Sequence, residues 1–321
     1  MPLRLLAVWI LAVAAIVPIT DMAFGQTYPN RPVRLVATAA GGAGDVAARI
    51  IGQNISGSLG QPVVVENRGT GIVPGEIVAK APPDGYTLLI AGTVIWLSPF
   101  LQEHLPFDPL KDFSPITLAV TTPNVLVVHP SLPVKSVKDL VALARSKPGV
   151  LNYGSTGSGS SYHLAGELFK SMARVDIVRV AYKGSAQGLN DLISGQLHLM
   201  FPTAPAGLPH LRSGKLKGLA VTSTGPSALV PGLPTASASG LPGYESGSIL
   251  GIFAPARTPE PIVHRLNQEI VRVLNNAEQK EKFLGLGLEA VGNSPEQFTA
   301  TIKSEMAKWG KVIRDAGIRA E

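Results

Sequence analysis

Along most of this chain, short runs of β-type apolar residues alternate with longer segments whose apolar positions recur at helical spacing. That alternation predicts an α/β chain built on parallel sheets with crossover helices. Val33 to Ala37 reads as a strand, and a helix follows from Asp45 to Leu59, with Val46, Ile50, Ile51, Ile55 and Leu59 on one stripe. Val63 to Val65 and Tyr86 to Ala91 read as buried strands, and Val125 to His129 opens a second series. There Ser136 can cap a helix, with Asp139 three residues on to complete a capping box. A strand from Val150 to Tyr153, a helix from Ser161, a strand from Ile177 to Ala181 and a helix from Ser185 come next. Leu197 to Phe201 and Leu216 to Val221 complete that region.

Between Thr222 and Ser248 the periodicity fades into Pro, Gly and Ser, which predicts a long connection draped over a surface. Beyond it stand a strand from Ile249 to Ala254 and a helix opened by Pro259, Glu260 and Pro261. The last helix starts at Ser294 with Pro295 in its first turn and Gln297 placed to close a capping box. It runs to about Ala316 with Phe298, Ile302, Met306, Trp309 and Ile313 on one face, a core stripe rather than a cofactor box. No internal repeat is visible.

The length, 321 residues, suits two units of roughly 150 each, and 45% hydrophobic residues let each bury a core. The formal charge of +6 is spread along the chain, with no basic block interleaved with aromatics, so nucleic acid is not an expected partner. Cysteine is absent, which excludes disulfides, thiolate nucleophiles and Cys-based metal centres, and also the lipid-carrying Cys of a bacterial lipoprotein. Residues 1–25 read as a secretory signal: Arg4, an apolar core from Leu5 to Ile19, then Ala23, Phe24 and Gly25 for cleavage after Gly25. The apolar run is short for a bilayer span and a polar, Pro-containing segment follows it. A periplasmic location is the expectation.

Two Gly-rich turns carry the candidate chemistry. The first runs through Gly41, Gly42, Ala43, Gly44 and Asp45; the second runs from Gly154 through Ser155, Thr156, Gly157, Ser158, Gly159 and Ser160 to Ser161. Each follows an expected strand and opens an expected helix, one in each half of the chain. Unpaired N–H groups and about half a positive charge at such a helix start suit a carboxylate or phosphate. Either turn alone is explained by turning and capping; the pair together points to a ligand gripped at both ends. Asp45 reads as an N-cap that organises its turn, since its charge would repel a carboxylate.

What is missing narrows the chemistry. Neither turn completes a dinucleotide fingerprint, no Gly-Lys-Ser/Thr phosphate loop occurs, and no Gly-x-Ser-x-Gly elbow is present. The six histidines show no metal-ligand spacing. His163 beside Ser158 and Ser160 is the one hydrolytic pairing available, but no third group is evident to orient the base. No catalytic residue, metal or cofactor is assigned.

At these turns the chain resembles the Bug-type substrate-binding proteins of tripartite tricarboxylate transporters, over essentially the whole mature length. The resemblance rests on residues 28–36 (Tyr-Pro-Asn-Arg-Pro-Val-Arg-Leu-Val), on Gly41, Gly42 and Asp45 with Ala48 and Arg49, and on residues 59–68 (Leu-Gly-Gln-Pro-Val-Val-Val-Glu-Asn-Arg). It continues through residues 78–89, residues 151–160 with His163 and Leu164, and residues 181–184 (Ala-Tyr-Lys-Gly).

The resemblance implies a periplasmic-binding-protein fold of the second topological type, with two lobes joined by a hinge. One lobe would comprise residues 27–122 and 223–321, the other residues 123–222. It further implies closure on a small-molecule carboxylate held by both turns and bridging waters, with two membrane subunits of a transporter as partners; a monomer is expected. The site residues expected on this basis are Gly41, Gly42, Ala43, Gly44, Asp45, Thr93, Ser155, Thr156, Gly157, Ser158, Ser160 and His163. A sensory module feeding a membrane partner would use the same clamp, and a secreted serine hydrolase is the remaining alternative.

The chain departs from the family pattern in four places. No Pro-aromatic pair precedes Gly41, and the turn from Gly69 to Gly75 is short. His198 and Pro202 stand where acidic residues are common, and Val94, Ile95 and Trp96 are unusually apolar. These changes speak against an aspartate- or citrate-like ligand and leave room for a less polar carboxylate.

Overall fold

The computed structural model describes residues 28–38, 40–69, 71–315 and 317–319; the expected signal segment lies outside them. The chain builds two mixed sheets, each with helices on its faces. The first sheet contains β1 (Val33–Ala37), β2 (Val63–Asn67), β3 (Thr87–Ala91), β4 (Phe113–Pro123), β10 (Gly247–Pro255) and β11 (Glu289–Ala290), in the order β11-β4-β10-β3-β1-β2. The second contains β5 (Val125–Val128), β6 (Asn152–Ser155), β7 (Val178–Ala181), β8 (Leu199–Met200) and β9 (Lys217–Val221), in the order β7-β6-β8-β5-β9.

Both orders follow one rule. In each sheet the strand that arrives from the other half of the chain, β10 in one and β5 in the other, is inserted between the third and fourth strands and runs antiparallel to its neighbours. This is the two-lobed periplasmic-binding-protein fold of the second type, as the resemblance implied. The purely parallel expectation is corrected: β1 pairs in parallel with β2 and β3, and β6 with β7 and β8, but β10, β5 and their partners are antiparallel. Local alternation of strand and helix cannot reveal a strand returning from a hundred residues away.

The helices are α1 (Ala43–Leu59), α2 (Val73–Ala79), α3 (Val94–Leu97), α4 (Val137–Ser146), α5 (Ser161–Ala173), α6 (Ser185–Ile193), α7 (Ala204–Arg212), α8 (Glu260–Asn275), α9 (Ala277–Gly285) and α10 (Pro295–Asp315). The serine caps expected at Ser136 and Ser294 form. Ser136 Oγ accepts from Asp139 N at 3.1 Å, though the Asp139 carboxylate accepts from Lys135 N instead of closing the box at Ser136. At α10 the box is reciprocal, with Gln297 N donating to Ser294 Oγ at 3.2 Å and Ser294 N to Gln297 Oε1 at 3.1 Å. Phe298, Ile302, Trp309 and Ile313 are buried against the first sheet, as their stripe predicts.

Proline or glycine masked β4, α2 and α7 in the sequence, α9 follows α8 without a break, and α3 and β11 are too short to show a period. β4 is the longest strand, yet Pro115 and Pro123 interrupt its sequence; Pro115 faces a register irregularity opposite Phe253 and Pro123 ends the strand, so neither breaks a central ladder. Helix α2 emerges from what reads as a glycine-rich turn, with Pro74 in its first turn. Helix α7 carries Pro205 at its start and Pro209 inside it. Helix α9 follows α8 directly, started by Asn276, whose side chain accepts from Gln279 N at 3.1 Å.

The chain crosses between sheets at Pro123–Asn124 and again after Val221. Asn124 N donates to Thr222 Oγ1 at 2.8 Å, and Thr222 N donates to Asn124 O at 3.0 Å, so the two crossings are pinned together. The Pro/Gly/Ser-rich stretch is largely a connection, as expected, but Leu229, Val230, Leu241 and Tyr244 anchor it in the cores beneath. Among the described residues no helix is long and apolar enough to cross a membrane.

Candidate functional site

Between the two sheets lies a cleft of about 660 Å³ of atom-free space, part of it at its mouth. Its walls are made by the first turns of helices. Gly42, Ala43 and Gly44 come from the start of α1; Ser160, Ser161 and Tyr162 from α5; Gly184 and Ser185 from α6; Thr203 from the cap of α7. The N-termini of four longer helices therefore converge, one from the first sheet's half and three from the second's, and the single-turn α3 adds Thr93 and Val94 from the first.

The first-turn N–H groups of a helix have no intrahelical acceptor. At α5 one of them is satisfied locally, since Ser160 Oγ accepts from His163 N at 3.3 Å. At α1, α6 and α7 no side chain caps the helix. Among the described residues no Lys, Arg, His, Asp or Glu lines the cleft. Its positive field comes from backbone dipoles, each terminus carrying about half a charge. Hydroxyls of Thr38, Thr93, Thr156, Ser185 and Thr203 add neutral hydrogen-bonding groups, while Val94 and Leu250 add apolar wall. Tyr162 is fully enclosed; burial pushes its phenol up, so it stays protonated, with its hydroxyl 3.3 Å from Thr203 Oγ1. Such a site suits an anion with an apolar body and offers no nucleophile–base pair.

Each turn is held from behind. In the first, Gly41 sits at φ +85, open to glycine. Asp45 is not the N-cap, which is Gly42; it is the third residue of α1 and reaches back, its Oδ2 accepting from Gly41 N at 3.1 Å. Asp45 Oδ1 accepts from Asn67 Nδ2 at 3.0 Å and pairs with Arg49 Nε at 2.9 Å, while Asn67 Nδ2 also donates to Thr38 O at 2.7 Å. Burial alone would raise the Asp45 carboxyl, but the hydrogen bonds from Asn67, Gly41 and Arg49 outweigh it and hold the group below its usual range.

In the second turn, His163 Nδ1 accepts from Gly159 N at 3.1 Å. Burial first, then the charges of Arg179 and Lys170, push His163 down to about 3, so the ring is neutral and Nδ1 is free to accept. The Ser–His hydrolytic pairing does not form: Ser160 Oγ serves the His163 backbone and His163 Nδ1 serves Gly159. Ser155 and Ser158 turn toward Arg179, which donates through Nε to Ser155 Oγ at 2.7 Å and through Nη1 to Ser158 Oγ at 3.3 Å.

Of the expected site residues, Gly42, Ala43, Gly44, Thr93, Thr156 and Ser160 line the cleft, whereas Gly41, Asp45, Ser155, Gly157, Ser158 and His163 do not. Sequence reasoning missed Gly184, Ser185, Thr203, Thr38 and Leu250. The helix start at Ser185 was legible and so was the Thr203-Ala204-Pro205 cap-and-proline pattern, but nothing local says that these ends face the same space. Among the described residues no group of three His, Asp or Glu is placed to hold a metal.

The family model of the tripartite tricarboxylate transporter family receptor matches residues 47–318. The protein BugT of Bordetella pertussis is 33% identical over 301 residues, 92% of this chain and 92% of BugT. The solved structure of R. palustris Rpa4515 with adipate is 39% identical, with a TM-score of 0.88, covering 91% of this chain and 99% of that one. MatC (Rpa3494) from Rhodopseudomonas palustris with bound malate is 31% identical, with a TM-score of 0.85, covering 89% of this chain and 100% of that one.

Proposed function

This chain belongs to the tripartite tricarboxylate transporter receptor family and is a solute-binding receptor, not an enzyme; from that premise we propose that it captures a small dicarboxylate in the periplasm for delivery to membrane subunits. The observation that carries the reading is the convergence of the α1, α5, α6 and α7 N-termini on a cleft with no charged side chain among its described lining residues. One carboxylate sits at the α1 turn of Gly42, Ala43 and Gly44; the other sits at the turns of Ser160, Ser185 and Thr203. Val94 and Leu250 face the middle, which favours a methylene linker over a hydroxylated one. The adipate of one solved relative has such a linker, and the malate of another is a shorter, hydroxylated counterpart.

A hydrogen bond to a charged group contributes about 1.5–3 kcal/mol. Three or four of them, less the cost of ordering ligand and lobes, correspond to roughly micromolar affinity or tighter. A thermal-shift series with adipate, succinate, malate and adipamide tests the proposal. A ligand at about 100 times its dissociation constant adds about 2.7 kcal/mol, a readily measured shift. Stabilisation by adipate with none by the uncharged adipamide is expected. No response to any of the dicarboxylates, or an equal response to the diamide, would overturn it.

A further inference from the structure

Two hydroxyls that the sequence assigns to the ligand, those of Ser155 and Ser158, are engaged elsewhere, and the group that engages them is Arg179. It lies on β7, the edge strand, directly beside Tyr153 of β6 in the parallel register Tyr153↔Arg179. From there its side chain runs along the sheet to the turn after β6. Its Nε donates to Ser155 Oγ at 2.7 Å, its Nη1 to Ser158 Oγ at 3.3 Å and its Nη2 to Thr156 O at 3.2 Å. These three acceptors span four residues of one turn, and the planar guanidinium meets all of them from a single position. His163 holds the far end of the same turn through Gly159 N. With Ser155 and Ser158 drawn back toward β7, Thr156 and the first turn of α5 are left facing the cleft.

We infer that Arg179 is the positioning residue of the second anion-binding turn, its guanidinium fork holding Ser155, Thr156 and Ser158 so that the N-terminus of α5 points at the ligand. The inference rests on the binding reading above, and on the three hydrogen bonds that Arg179 makes to the turn. A lysine would keep the charge but, as a point donor on a flexible stem, could not hold three divergent acceptors.

The test compares Arg179→Gln, Arg179→Lys and Ser158→Ala with the wild-type chain. Two readouts are taken: amide exchange across residues 154–164 without ligand, and adipate affinity by calorimetry. The N–H groups of Gly159, Ser160 and His163 are hydrogen-bonded within the turn and report its order. In both Arg179 variants these amides should exchange at least about tenfold faster while the second sheet's core stays protected, and adipate should bind about tenfold or more weakly, the equivalent of one charge-assisted hydrogen bond. Ser158→Ala, which removes one arm of the fork, should give a smaller change in the same direction. Unchanged exchange in Arg179→Gln would overturn the inference, and so would wild-type affinity in Arg179→Lys, which would mean that charge alone matters. If Arg179→Gln does not fold, Arg179→Lys and Ser158→Ala decide, and wild-type behaviour in both overturns it. If the wild-type chain binds no dicarboxylate, the binding reading fails, and the exchange of the turn still decides the positioning role.

Discussion

Gly159 of the second turn packs onto Leu101 of the first sheet's half: a Cβ at Gly159 would stand 2.4 Å from Leu101 Cδ1, and its φ of +78 is one that side chains resist. The two halves thus meet where the second Gly-rich turn ends. Leu164, one turn into α5, joins the same contact by packing with the core cluster of the first sheet that contains Leu97, Leu101 and Trp309.

Gly159→Ala should therefore loosen closure of the cleft. The backbone strain costs about 1–2 kcal/mol, and the clash with Leu101 falls where the two halves meet. Adipate affinity is expected to fall about tenfold or more, and scattering should report a larger radius of gyration with ligand present. Adding Leu101→Ala should recover part of the affinity by relieving the clash; no recovery would mean that the contact does not limit closure.

Removing the Asp45 carboxylate should unfasten the first turn. Asp45→Ala takes away the acceptor for Gly41 N and Asn67 Nδ2, leaving partly buried donors without it, at a cost of about 1–3 kcal/mol. Denaturant melts check the stability and calorimetry checks adipate binding, which should weaken even though Asp45 does not line the cleft. Wild-type binding in this variant would show that the turn keeps its shape without the brace.

Stability should fall on acidification through His163. Its folded-state value, about 3, lies below the ordinary histidine value of 6.5, so the neutral ring's contribution is complete above pH 6.5 and is lost as pH falls toward 3. The slope is about 1.4 kcal/mol per pH unit for one proton taken up on unfolding. Urea midpoints measured between pH 7 and pH 4 should drop less steeply for His163→Asn, whose amide oxygen can still accept from Gly159 N. Parallel curves for the two proteins would remove His163 from the account.

Binding itself should not follow that titration. With no Lys, Arg, His, Asp or Glu among the described lining residues, and the Tyr162 phenol pushed up by burial, adipate affinity should stay level from pH 9 to about pH 6 and fall only as the ligand's own carboxyls protonate, at roughly pH 4–5. A midpoint near pH 6.5 in calorimetric titrations would instead implicate a histidine.

Much of the site was legible locally. Gly41 to Asp45 and Gly154 to Ser161 announce strand-to-helix turns rich in backbone donors, and the helices starting near them begin within two residues of where the pattern places them. The roles of individual side chains were less so. The sequence offers Ser158 and Ser155 as hydroxyls, but not that each accepts from Arg179, more than twenty residues away.

By itself, then, the chain's sequence determined its α/β class, most helix starts, the core stripe of α10 and the two turns, because periodicity, caps and glycine act over a few residues. Only the tertiary structure decided that β10 and β5 insert antiparallel into the opposite sheets, that α6 and α7 bring Ser185 and Thr203 to the same cleft, and that Asp45 and Arg179 hydrogen-bond to the two turns from behind. Those outcomes depend on contacts between residues far apart in the chain. Nothing in a local pattern carries the direction in which two distant helix ends will point.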